Sequence, residues 1–180
     1  MVQLLVAVII LLTWLLPAAS AEPSEIKIGY LRSNTPRTSL SLVESPAQND
    51  GLAGAQLGVI DNNTTGSFMG QQFSLSEMRR DPRDSAAAAS ELANSGVRLI
   101  ITDLPADALL AAADAGAPQG LNFLNASAID DRLREEACRA NVIHTAPTRS
   151  MLADALAQYL VWKQWRRWLL VVGSHAEDQL

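Results

Sequence analysis

The sequence is short of nearly every residue type from which chemistry is usually read. One cysteine, Cys138, in 180 residues excludes an internal disulfide framework and a cysteine-based zinc site. Two histidines, His144 and His175, leave little for a histidine-rich metal centre. Nine aromatic rings (four Trp, three Phe, two Tyr) are too few for a stacking platform along single-stranded nucleic acid. Basic charge is also scarce: 14 Lys and Arg against 19 Asp and Glu give a net charge of -5, with a pI near 5.0. The basic face of a nucleic-acid binder is therefore missing. So are a G-x-S-x-G elbow, a phosphate-binding loop, a G-x-G-x-x-G turn and an H-E-x-x-H helix.

What is present is a composition of 48% hydrophobic and 18% charged residues, that of a globular α/β protein of one domain or one and a half. Residues 1–21 carry no charge. Their apolar run over 4–16, interrupted by Thr13, is shorter than the ~20 residues of a comfortable membrane span. Pro17 breaks it, and Ala19-Ser20-Ala21 supplies an A-x-A cleavage pattern. The expectation is a secretory signal peptide over 1–21, cut after Ala21; an uncleaved anchor is the alternative, because the segment lacks an initial Lys or Arg. Cys138 reads as a buried or half-buried structural thiol.

Beyond the leader, strand and helix patterns alternate. Residues 26–31 alternate as a strand does, and a Ser/Thr/Asn/Pro-rich stretch over 33–50 reads as a surface loop. Leu52, Ala55, Val59 and Ile60 mark a first helix stopped by Asn62, Asn63 and Gly66. Phe73 and Leu75 mark a short second strand. Asp81-Pro82 opens a second helix that ends at Gly96. Residues 97–102 form a buried strand, a third helix opens at Pro105 and Asp107, and residues 121–124 and 141–145 are further strands. Met151, Leu152, Ala155, Leu156, Tyr159 and Leu160 make an amphipathic helix, and residues 168–172 a sixth strand. Such alternation implies βαβ units: a Rossmann-like parallel sheet flanked by helices. Ligands of these sheets bind where loops leave the carboxyl ends of strands, here after Leu31, Thr102, Leu124, Thr145 and Val172.

Several residues at those loops could carry function. Asp103 and Asp107 flank Pro105 and read either as a carboxylate pair able to hold an ammonium group or as helix-capping residues. Asn125, Ala126 and Ser127 offer amide, backbone N–H and hydroxyl groups to a small polar ligand, or ordinary turn chemistry. His144 reads as a structural histidine. Gly51, Gly54 and Gly58 fall on or before a helix and read as close-packing positions. Trp162, Trp165 and Trp168 read as packing residues, with Lys163, Arg166 and Arg167 as a solvated edge. Asn62-Asn63-Thr64 and Asn125-Ala126-Ser127 fit the glycosylation acceptor pattern.

These residues in this order resemble a known family. Ile26-Lys27-Ile28-Gly29-Tyr30, Gly54-Ala55-Gln56-Leu57-Gly58, Asp81-Pro82-Arg83, Ala126-Ser127-Ala128 and His144-Thr145-Ala146-Pro147 resemble the leucine/isoleucine/valine-binding type of periplasmic substrate-binding protein of ABC transporters. Residues 138–147 and 151–163 look like the subfamily linked with pyrroloquinoline-quinone (PQQ)-dependent alcohol dehydrogenase systems. The resemblance implies a two-lobed trap that closes on its ligand, with a type I periplasmic-binding fold and no cofactor. It implies a small-molecule ligand, an inner-membrane permease as partner, no nucleic acid, a monomer and a periplasmic location. It places residues 22–165 in the first lobe and 166–180 at the start of a second lobe, as in a truncated fragment. Its ligand loops fall on Ala106, where a hydroxyl is lost, and on Asn125 and Ser127, where one is kept. A second-lobe tyrosine falls near Glu177, and the family's two half-cystines fall on Arg80 and Pro105. These departures weaken an aliphatic amino-acid ligand. The alternatives are an accessory or sensory subunit docking on a dehydrogenase through residues 162–168, and a flavodoxin-like enzyme using Asp103, Asp107 or His144.

Overall fold

The computed structural model describes residues 24–36 and 47–174. The signal peptide over 1–21, most of the 33–50 loop, His175 and Glu177 lie outside the described residues. Five strands form one sheet in the order β2-β1-β3-β4-β5, with every neighbouring pair parallel. β1 (Ser24–Ser33) is followed by α1 (Asp50–Gly66) and β2 (Gln71–Arg80). α2 (Ser85–Asn94) leads to β3 (Leu99–Asp103), and α3 (Ala106–Gly116) to β4 (Asn122–Asn125). A short 3-10 turn at Asp131–Arg134 precedes β5 (Val142–His144) and α4 (Arg149–Trp162). This is the α/β architecture that the alternating pattern implies. β2 is not short: it spans ten residues and pairs with β1 along its full length, from Ser24↔Gln71 to Ser33↔Arg80.

Local chemistry fixes the helix starts. The Asp81 carboxylate accepts the Arg83 N–H at 3.0 Å, and the Ser85 hydroxyl donates to the Pro82 carbonyl at 2.6 Å, so Asp81-Pro82 turns the chain into α2. Gly96 ends that segment in the left-handed region, φ 90°, which a side chain would strain.

Register sorts the side chains onto two unequal faces. On one face run the rows Gly29–Ile100–Phe123–Val142 and Leu31–Thr102–Asn125–His144. α2 and α3 cover this face with Ala88, Ala89, Leu92, Leu109, Ala112 and Ala113, all buried. Alanines at these positions let both helices settle close to the sheet. A Cβ on Gly116 would stand 2.8 Å from two carbons of the Phe123 ring, so the glycine there is a condition of that approach.

The opposite face is covered only in part. α1 lies along β2, where Gly66 is its one buried residue. Its predicted stripe is half-buried at Leu52, Ala55 and Val59, and Ile60 is exposed. A Cβ on Gly51 would collide with the Tyr30 hydroxyl, whereas Gly54 and Gly58 have open space around them, so close packing holds at one of the three glycines. At the other end of the sheet Ile143 is 56% exposed. α4 buries none of its residues.

Three expectations are corrected here. Residues 168–172 form no strand: Leu169, Leu170 and Val171 stand exposed, because an apolar run becomes a strand only where a neighbouring strand takes up its N–H and C=O groups. Trp162, Trp165 and Trp168 are exposed rather than packed; Trp162 has the Lys163 ammonium 4.4 Å from its ring centre. Cys138 is exposed. No described helix is long and apolar enough to cross a membrane.

The two-faced sheet predicts unequal costs of truncation. Phe123→Ala, at a fully buried position, should lower the free energy of unfolding by about 3–5 kcal/mol in urea denaturation. Ile143→Ala, one residue from the aligned row on the open face, should change it by no more than about 0.5 kcal/mol. Equal losses would contradict a core confined to the α2–α3 side.

Candidate functional site

The carboxyl ends of all five parallel strands share one edge, and the loops leaving it enclose two adjoining clefts. The larger, about 700 Å³, lies between the start of α3 and the segment after β4, and runs from Pro105, Ala106 and Asp107 to Asp130, Arg132 and Arg149. The smaller, about 410 Å³, lies over the ends of β1, β2 and β3 and is lined by Arg32, Thr35, Gln48, Arg79 and Asp103. Leu104, Pro105 and Ser127 belong to both and form the ridge between them.

The predicted residues are dealt out unequally over this edge. Asp103 and Asp107 do not form a carboxylate pair. Asp103 ends β3 in the smaller cleft, where its carboxylate accepts the Tyr30 hydroxyl at 3.3 Å. Asp107 lies in the first turn of α3 in the larger cleft and is 2.7 Å from the Arg132 guanidinium. Their separation follows from Pro105, which ends the strand and starts the helix between them. Neither aspartate is the N-cap of α3. That position is Pro105, which has no side-chain acceptor, so the positive end of the α3 dipole meets the cleft without a capping side chain. Ala106 lines the larger cleft with its methyl group.

Asn125 supports the loop after β4. It is 1% exposed, and its side chain holds the loop that follows. Oδ1 accepts the N–H groups of Ser127 and Ala128 at 3.3 and 2.8 Å, and Nδ2 donates to the Ala128 carbonyl at 2.7 Å. Its burial also removes Asn125-Ala126-Ser127 as a glycosylation acceptor; Asn62 is exposed and donates to the Gly58 carbonyl. Ala126 is exposed, with its N–H donated to the Thr102 carbonyl at 3.1 Å. Ser127 is therefore presented on the ridge between the clefts, its hydroxyl donating over a long 3.3 Å to the Leu104 carbonyl.

Other polar residues of this edge were not singled out from sequence. Arg132 joins Asp107 to Asp130, 2.9 Å away, and hydrogen bonding to Asp107 first, then to Asp130, raises its pKa. Asp131 accepts the Ser150 hydroxyl and N–H at the start of α4. Hydrogen bonding from Ser150, and then from Thr148, holds its carboxyl below the usual range. Arg32 and Arg79 end adjacent strands at aligned positions. The signal for them was the loop after Leu31; what was missing was the register that brings β2 alongside. Among the described residues no group of three or more His, Cys, Asp or Glu side chains gathers as a metal site.

His144 lies beside Asn125 on the α2–α3 side of the sheet and lines neither cleft. Its Nδ1 is 3.1 Å from the Asn125 amide nitrogen, and its enclosed Nε2 has no hydrogen-bond partner. Burial, then the Arg134 charge, pushes its pKa below the ordinary 6.5, with the nearby Leu133 backbone opposing in part.

Residues 25–179 match the family model described as periplasmic binding protein. The chain belongs to the periplasmic binding protein family. A search of curated proteins finds no match. Among solved structures it is similar to an ABC transporter substrate-binding protein from Desulfitobacterium hafniense in complex with Leu, at 20% identity and TM-score 0.68, covering 87% of this chain and 44% of that one. It is similar to a leucine-, isoleucine-, valine-, threonine- and alanine-binding protein from Brucella ovis, at 17% identity and TM-score 0.63, covering 80% and 37%. It is also similar to a solute-binding protein of an ABC transporter from Rhodopseudomonas palustris BisB5 in complex with 3,4-dihydroxybenzoic acid, at 17% identity and TM-score 0.53, covering 77% and 36%. The chain thus spans less than half the length of each. At these identities the likeness shows a shared fold, the first lobe of the type I periplasmic-binding architecture. The family and these neighbours are solute-binding proteins and not enzymes.

The His144 environment sets a pH dependence. The unfolded chain takes up a proton near pH 6.5, and the folded chain does so only at lower pH, so acidification through 6.5 favours unfolding. Between about pH 7.5 and about pH 5.5 the melting temperature should fall more in the parent than in His144→Asn. Parallel curves for the two proteins would refute this assignment.

Proposed function

We propose that this chain captures a small polar or amino-acid-like ligand at the carboxyl edge of its sheet and serves the solute-binding component of an ABC transporter. The observation that carries this reading is the pair of clefts joined at the Leu104–Pro105–Ser127 ridge, where the loops after β1, β3 and β4 converge, in a member of the periplasmic binding protein family. A ridge with a hydroxyl and an uncapped helix start suits a ligand with polar ends. Residues 22–165 act as the first lobe, and a second lobe closes over the clefts as in a hinged trap. Asp103, Asp107 and Ser127 stand at the ligand side, Ala106 shapes the wall, and Asn125 and Ala126 hold the loop.

Family membership supports a periplasmic place of action, reached through the leader over 1–21 and its cut after Ala21, and an inner-membrane permease as the partner that receives the ligand. The likeness of residues 138–147 and 151–163 to the subfamily of PQQ-dependent alcohol dehydrogenase systems supports a ligand drawn from alcohol oxidation. The lost hydroxyl at Ala106 weighs against tight binding of an aliphatic amino acid.

The test is a thermal-shift series on the full chain with millimolar leucine, isoleucine and 3,4-dihydroxybenzoate. At least one should raise the melting temperature in a saturable way, as binding to the folded state requires. Ser127→Trp, which fills the ridge between the clefts, should abolish that rise and leave the melting temperature without ligand within a few degrees of the parent's. No shift with any of the three, or an unchanged shift in Ser127→Trp, would overturn the site.

A further inference from the structure

We infer that Arg32 and Arg79 form the anchor for a ligand carboxylate in the smaller cleft; this deepens the ligand-capture reading and rests on it. The parallel register aligns Arg79 of β2, Arg32 of β1 and Asp103 of β3 in one row across three strands. Aligned residues of neighbouring strands point to the same face and stand about 4.8 Å apart. Two arginines thus leave neighbouring strands on the same face at the carboxyl edge, and both line the cleft of about 410 Å³. Glu77 already faces Arg32 at 2.9 Å, so the exposed Arg79 is the cation of this row that a ligand anion meets first, with Arg32 beside it.

The contacts of the two side chains fit this role. Arg32 donates from Nη1 to the Gln48 carbonyl at 2.7 Å, and its Nε forms an ion pair with a Glu77 oxygen at 2.9 Å, without the alignment of a hydrogen bond. Its side chain is 17% exposed, so the charge is largely withdrawn from water. Arg79 donates from Nη2 to the Asn34 carbonyl at 3.2 Å and is otherwise exposed at the mouth. Each fork is held in place by a backbone carbonyl and keeps further N–H donors, out of the five a guanidinium carries, for a ligand. A planar carboxylate matches such forks in geometry. Glu77 beside Arg32 and Asp103 on the same rim reduce the local positive charge, which suits a singly charged carboxylate over a doubly charged phosphate.

This anchor lies over β1 and β2. It therefore differs in place from the β3 and β4 loops, on which the family resemblance puts ligand contacts, and it predicts that the ligand's acid end points away from Asp107 and the α3 start.

The experiment compares probes that differ only in the acid group, by calorimetry and thermal shift on the full chain. The probes are leucine against leucinamide, 3,4-dihydroxybenzoate against 3,4-dihydroxybenzamide, and inorganic phosphate. The acid of at least one pair should bind, with its amide about 10- to 100-fold weaker. Arg79→Gln, at an exposed position, should weaken the acid by a similar factor and leave the amide and the melting temperature without ligand unchanged. Arg79→Lys should recover part of the loss, and Arg32→Gln should show the same selectivity. If the acids bind but Arg79→Gln binds them as well as the parent, or the amides bind equally, the anchor is wrong while the ligand-capture reading stands. If phosphate binds more tightly than every acid, the carboxylate assignment is wrong. If no probe binds, both readings fall.

Discussion

The parallel hydrogen-bond ladder that sets β1 between β2 and β3 is the constraint on which the rest of the molecule depends. A parallel pair cannot be closed by a tight turn, so each strand must be followed by a crossover that returns to the same starting edge. Three such crossovers, α1, α2 and α3, separate the first four strands, and a turn-rich segment separates the last two. The carboxyl ends consequently all meet on one edge, and the loops after β1, β4 and β5 are tied to it by single bonds such as Asn34 to Arg80, Ala126 to Thr102 and Thr145 to Asn125. The clefts are a consequence of that geometry and not of any one motif.

Within this frame the loops are held by a small number of buried polar groups. Asn125 does the most, because its one side chain satisfies two backbone N–H groups and one carbonyl of the turn after β4. Thr102, also buried, donates to the Leu124 carbonyl; the exposed Thr145 donates to the Asn125 carbonyl, and at the amino end of the sheet the half-buried Asn141 bridges the Ala113 and Leu121 carbonyls. Buried groups of this kind are costly when unpaired, so each narrows the loop to one conformation. The charged pairs at the surface contribute less. Arg139 with Asp114 and Arg80 with Glu91 are open to solvent, where such pairs are worth about 0–1 kcal/mol. Precision at the edge therefore comes from buried amides and hydroxyls, and the surface charges mainly tune it.

The two faces of the sheet tell a second story about energetics. The side under α2 and α3 is dry and closely packed, with Leu31, Ile100, Leu109 and Phe123 fully buried. The other side is covered by α1 over β2 and left open near Ile143. α4 and the apolar residues after it add to the exposed surface, including Leu156, Val161, Trp162 and Leu169. A patch of this kind is unusual on a monomeric domain, and it gains stability from whatever covers it.

Much of this was legible from sequence because it depends on neighbours in the chain. Alternating and 3.6-residue apolar patterns, the Asp81-Pro82 start, the Gly96 stop and the run over 97–102 are local signals, and the elements they mark are where they were expected. The resemblance to periplasmic binding proteins also needed only residue order. What sequence could not assign was direction and partnership. Asp103 and Asp107 are four residues apart, yet Pro105 turns them into different clefts. Asn125 and Ser127 are two apart, yet one is buried in the support and the other stands on the ridge. Residues 168–172 have the composition of a strand, but a strand exists only where another supplies its hydrogen bonds. Arg32 and Arg79 are 47 positions apart, and only the parallel register brings them side by side. Residue order was enough for the alternation of strands and helices over 24–162 and for the family they compose, but not for the extent of β2 or the fate of residues 168–172. The tertiary structure decided which polar groups face the clefts, because that depends on which strands lie next to one another and in what register.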